Sequence, residues 1–138
     1  RPDIALKMAY LPIRTTAREN AAWASGFYVL MHSLASLADP GLSVKDQVQW
    51  MADTARQHLP NDSYTAKMFD FVKSRYQAGV PWEQARDEVY QRYQVEQRDG
   101  YDITSRDLYC NGCFASGINF AASIVSLLYG EGDYQETV

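Results

Sequence analysis

The stretch from Asn20 to Ala38, NAAWASGFYVLMHSLASLA, constrains this chain more than any other. Wound at 3.6 residues per turn, its apolar residues fall on nearly every side, so as a helix it has almost no solvent face. A helix of that kind has to be surrounded. The flanking sequence offers helices for the purpose, because helical periodicity dominates and no convincing period-2 alternation marks a strand. The expected fold class is all-α, a helix bundle with this segment buried at its centre and Trp23, Phe27 and Tyr28 as core aromatics.

The punctuation supports that reading. Asp39-Pro40-Gly41 is a turn signal that ends the central helix. Ser43 then caps a second helix, with Asp46 at the third position as a capping-box partner. Val44, Val48, Met51, Ala52, Ala55 and Leu59 form one stripe at helical spacing, and Pro60 closes the segment. Asp62 or Ser63 caps a third helix, with Tyr64, Met68, Phe71 and Val72 inward, ending at Gly79. Pro81 suits a first helical turn, where its missing N–H is harmless. Trp82, Ala85, Val89 and Tyr93 line the inner face of the helix that follows. Residues 95–113 read as one long polar loop, and Phe114 to Tyr129 as the last complete helix. Gly130 is expected at a left-handed helix end. Asp133, with Glu136 three positions on, opens a further helix that runs for roughly one turn, too short to nucleate alone. At the other end, IALKMAYLP reads as the tail of a helix. Both ends read as cut, so residues 1–138 are expected to be a single all-α fragment interior to a larger domain.

Size and charge bound the function. A chain of 138 residues, 46% hydrophobic, can bury one core. The net charge of −4 argues against nucleic acid or an anionic membrane as the partner. The longest charge-poor run holds an apolar core of about sixteen residues, short of the roughly twenty that span a bilayer. No signal peptide is visible and two cysteines make no disulfide scaffold, so a cytoplasmic protein is expected.

Candidate chemistry is sparse. Cys110 and Cys113 have C-x-x-C spacing, but a zinc site needs a second pair, and a redox role needs a strand–helix context. They read as ordinary thiols. Asp99, Asp102 and Asp107 in the long loop lack the alternation of a calcium loop; with Glu131 and Asp133 they read as solvated charges. His32, on an apolar helix, reads as a packed histidine. On the last long helix Ser116, Asn119, Ser123 and Ser126 share a narrow stripe. That stripe serves either close helix packing, with hydroxyls bonded back to their own backbone, or the lining of a polar pocket.

The tail NFAASIVSLLYGEGDYQETV resembles the segment of ADP-ribosylglycohydrolases in which an apolar helix runs through Leu-Leu-Tyr-Gly-Glu-Gly-Asp-aromatic into another helix. NAAWASGFYVLMHSLASLAD is similar to that family's buried helix. ARQHLPNDSYTAKMFDFVKSRY resembles its helix–Leu-Pro-x-x-Ser–helix unit, and VPWEQARDEVYQRY its Trp-Glu-x-Ala helix. The resemblance, which extends to crystallin J1-like members, runs from about Ala17 to Val138. It implies an orthogonal all-α bundle and hydrolysis of the glycosidic bond between ADP-ribose and a protein side chain or related acceptor, at a binuclear magnesium site. The family's metal ligands lie in Gly-Asp and Thr-Asp-Asp patterns upstream and in a Gly-x-Asp-x-Asp stretch downstream. No residue of this chain matches either, so no catalytic or metal-ligating residue is expected here, and the segment's partners are ADP-ribose and the rest of its own domain. Where many members carry Ser/Thr-His before the buried helix, this chain reads Arg14-Thr15-Thr16-Ala17-Arg18. Asn119 matches a position where related sequences often carry Asn, and is the one substrate-proximal candidate, as support rather than catalyst. The other class considered is a non-catalytic helical scaffold or partner-binding module.

Overall fold

A computed structural model describes residues 1–98 and 116–137, all of it helix, turn or irregular chain with no strand among the described residues. The helices are α1 (Pro2–Thr16), α2 (Glu19–Ala35), α3 (Val44–Arg56), α4 (Tyr64–Gln77), α5 (Trp82–Val89), α6 (Ser116–Tyr129) and α7 (Tyr134–Thr137). A π-helical segment, Tyr90–Val95, prolongs α5.

Local chemistry sets most boundaries. The Ser43 hydroxyl accepts the Asp46 N–H at 3.1 Å and donates to the Asp46 carboxylate at 2.6 Å, starting α3. Ser63 does the same for α4, accepting from the Ala66 N–H at 3.2 Å. That helix stops at Gly79, whose φ of +70° suits a residue without a Cβ. There the Val80 N–H reaches back to Arg75 O at 3.1 Å and the Gly79 N–H to Tyr76 O at 3.0 Å, the paired closure of a Schellman motif. Pro81 stands one residue outside α5, as its cap residue.

α2, α4 and α6 meet at three rings. Phe27 is fully buried, with its centroid 5.7 Å from Phe69 and 5.1 Å from Phe120, the latter edge-on at 88°. Edge-to-face pairs of this kind add about 0.5–1.5 kcal/mol each beyond their burial. α3 lays Val48, Ala52 and Ala55 against this centre, and α5 contributes Ala85 and Val89. The π-helical segment turns both Tyr93 and Gln94 inward, which a 3.6-residue period would not do for neighbours.

Several expectations change. α2 is central but not sheathed: Phe27 is buried, while Trp23 and Tyr28 are 42% and 38% exposed. Trp82, placed inward by periodicity, is exposed, with the Arg86 guanidinium stacked over it at 5.3 Å. IALKMAYLP lies within α1, which passes through Pro12 and ends only at Thr16. Proline removes one backbone bond from a helix interior, and here the Thr15 hydroxyl donates to Pro12 O at 2.6 Å. No helix among the described residues is long and apolar enough to cross a membrane.

Candidate functional site

α1 lies along α2, yet none of its residues is buried. Between the two helices and the end of α3 runs an apolar groove of about 490 Å³. Buried Phe27, Leu30 and Leu59 line it together with half-buried Leu6, Ile13 and Ala22. Its exposed residues are Tyr10, Arg14, Glu19, Trp23 and His58. Glu19 and Trp23 also border a second, shallower hollow of about 450 Å³ with Asn20, Asp62 and Ser63.

The junction that forms the end of this groove is strained. α1 stops at Thr16, and the Ala17 N–H still bonds to Ile13 O at 2.8 Å. The chain is then extended through Ala17 and Arg18, and Glu19 re-enters helix with φ +47°. A left-handed conformation is unfavourable for any residue with a Cβ. Among the described residues, the Glu19 carboxylate makes no hydrogen bond or ion pair, and neither do the side chains of Arg14 and His58. An apolar groove fringed by unpaired groups of both signs is the arrangement expected of a small-molecule site.

The polar stripe of α6 divides between one residue at a helix contact and three that are exposed. Ser116, Asn119 and Ser126 are exposed, and none of the three lines this groove. Only Ser123 is half-buried: its hydroxyl donates to Phe120 O at 2.8 Å and meets the Tyr28 hydroxyl of α2. Partial desolvation raises the Tyr28 phenol above its ordinary value, and the Ser123 contact partly offsets this. His32 is exposed rather than packed, with Nδ1 2.8 Å from Tyr28 O.

Glu131 and Asp133 have structural duties. Glu131 Oε1 accepts from the Tyr76 hydroxyl at 2.6 Å and pairs with Lys45 Nζ at 2.7 Å, although the Glu131 backbone sits at φ +50°. The Lys45 ammonium, and after it the Tyr76 hydroxyl, hold its carboxyl below the usual range. Asp133 caps α7, with Oδ1 accepting the Gln135 N–H at 2.8 Å and the Glu136 N–H at 3.3 Å. The left-handed residues of this turn are Glu131 and Gly132, not Gly130 as the pattern suggested. Gly130 is required for closeness instead, since a Cβ there would stand 2.8 Å from Ser126 O and against Thr137.

No group of three or more His, Cys, Asp or Glu among the described residues could hold a metal ion. Asp99, Asp102, Asp107, Cys110 and Cys113 lie outside the described residues. No family model, no curated protein and no solved structure matches this chain.

The groove is not legible in the sequence because its residues come from α1, α2 and the turn after α3, and no local motif links them. One signal was available: Gly26 interrupts an apolar helical run with no turn nearby, which calls for a packing or functional reason.

Proposed function

We propose that this chain is a central helical piece of a metal-dependent hydrolase of the ADP-ribosylglycohydrolase type, folded as that family's orthogonal bundle and acting in the cytoplasm. It supplies core and one wall of the cleft, and flanking segments supply the magnesium ligands. The bond cleaved joins ADP-ribose to a protein side chain or related acceptor. Asn119, exposed on α6, stands near the substrate as a positioning group.

One observation carries this reading. The residues on which the resemblance rests fold into a single turn in which every side chain or glycine has work. Tyr129 donates to Val80 O at 2.8 Å, Gly130 admits Thr137, and Glu131 binds Tyr76 and Lys45. Gly132 takes φ +87° beside Val44, and Asp133 caps α7. A turn so fully engaged fixes where α7 starts and in which direction it leaves the body, as a helix leading to metal ligands requires.

The natural gene product, with its flanking sequence, is the material for the test. ADP-ribosylated protein is incubated with it, with magnesium and with a chelator, and released ADP-ribose is measured. Magnesium-dependent release is expected from the gene product, and neither release nor tight magnesium binding from residues 1–138 alone. Flanking sequence without a Gly-x-Asp-x-Asp stretch, or release indifferent to chelation, would overturn the proposal. The second reading, a partner-binding helical module, is favoured by the outer side of α1, where Met8 and Leu11 are 76% and 71% exposed. Inactivity of the natural gene product under every metal condition would favour it.

A further inference from the structure

We infer that the groove between α1 and α2 is a binding site for a small aromatic zwitterion, with Arg14 receiving its carboxylate, Glu19 its ammonium group, and the apolar walls its ring. Four observations converge, and none depends on the hydrolase proposal.

The first is size and lining. A groove of about 490 Å³ is in the range of small-molecule sites, and Phe27, Leu30 and Leu6 give it apolar walls beside the ring of Trp23. The second is the pair of charges. Arg14 and Glu19 line the same groove without reaching each other, so each is free to meet an opposite charge on an occupant. A guanidinium presents paired donors to a carboxylate, and a carboxylate accepts from an ammonium. A ligand of either single sign would meet one of them as repulsion, which is why a zwitterion matches.

Gly26 is the third. Glycine is the poorest non-proline residue for a helix interior, and it is usually explained by a neighbour that leaves no space for a Cβ. Here a Cβ would find its nearest outside atom, Leu6 Cδ2, at 3.7 Å, an ordinary contact. The neighbouring helix therefore does not demand the glycine. What it does is keep the wall of the groove open. The fourth is Glu19 itself, held at φ +47° with no partner among the described residues in return. Strain that local contacts do not offset is found at ligand-holding positions.

The test uses the full chain and calorimetric titration with the dipeptide phenylalanyl-leucine, against its N-acetylated, C-amidated form. The free dipeptide is expected to bind and the capped form to bind at least tenfold more weakly. Arg14→Gln and Glu19→Gln, both at exposed positions, are each expected to loosen the dipeptide fivefold or more. Gly26→Ala is the decisive variant, because it should raise the melting temperature while weakening binding severalfold, a combination that damage to the fold does not produce. Absence of binding at millimolar dipeptide would overturn the inference. So would equal affinity for the capped form, unchanged affinity in Gly26→Ala, or sedimentation showing a second copy of the chain seated on α1 and α2.

Discussion

Two glutamates in this protein take the same unfavourable backbone conformation, one at the start of α2 and one in the turn before α7, and only one of them has partners. Glu131, at φ +50°, accepts from Tyr76 and pairs with Lys45, joining α3, α4 and the turn before α7. Glu19, at φ +47°, heads α2 with its carboxylate bound to nothing among the described residues. The glycines of the two regions divide the same way. Gly130 and Gly132 stand where a Cβ would strike Ser126 O, Thr137 or Val44, and Gly26 stands where a Cβ would fit. The turn is thus a finished piece of structure in which strain and closeness are answered by contacts. The groove has the strain and the space, with the contacts still to be supplied by something else.

The turn's glycines give the sharpest way to break this contrast. Gly132→Ala puts a Cβ on a residue at φ +87° and drives it into Val44, so a loss of about 2–4 kcal/mol is expected. Gly130→Ala acts by closeness alone, pushing α7 away from the end of α6, and should lose about 1–3 kcal/mol. Urea unfolding of both variants measures the losses. If either were neutral, the turn would not be the rigid device described above.

Glycine at the two strained glutamates separates them next. Glu19→Gly removes an unfavourable φ and no contact, so a gain of about 1 kcal/mol is expected. Glu131→Gly removes the same strain together with the Lys45 and Tyr76 contacts, so its gain should be smaller or reversed. Equal gains in the two variants would mean that the Glu131 contacts contribute nothing, and the contrast between the regions would collapse to one of appearance.

What the sequence revealed, and what it concealed, follows the same division. Ser43, Gly79 and Asp133 act within three or four residues of themselves, so their roles as caps and stops are readable from spacing, while spacing leaves the cap of α4 open between Asp62 and Ser63. The all-helical class was equally plain. The direction in which a helix side faces is decided by distant chain, which local spacing does not encode. α2 looked apolar all round, yet Trp23 and Tyr28 reach the surface because α1 and α6 cover only part of it. The serines of α6 share a stripe, but nothing in their spacing says that Ser123 meets Tyr28 of α2 while Ser116 and Ser126 are exposed. Arg14, Gly26 and His58 come together only through tertiary packing, so no local pattern announced the groove. The positive φ expected at Gly130 falls on Glu131 and Gly132, because a glycine can serve closeness or positive φ, and sequence does not say which.

The smallest effect sharpens the contrast through pH. The Glu131 carboxyl is held low first by Lys45 and then by Tyr76, and Lys45 is held high first by Glu131 and then by Tyr76. A lowered carboxyl contributes stability that is complete above its unfolded pKa, about 4.3, and that is lost as pH falls through the lower folded value. A raised ammonium contributes stability that is complete below about 10.4 and is lost as pH rises through the higher folded value. The contact is therefore whole across the neutral range and fails at both extremes. Measured against Glu131→Gln, the wild-type advantage in urea midpoint should be flat between roughly pH 6 and 9 and should shrink below about pH 4. Both partners are partly exposed, so added salt should shrink it too. An advantage that persists unchanged into acid would mean that Tyr76 alone holds Glu131. The turn would then be anchored to α4 without help from α3, and the protonated acid would serve it as well as the charge does.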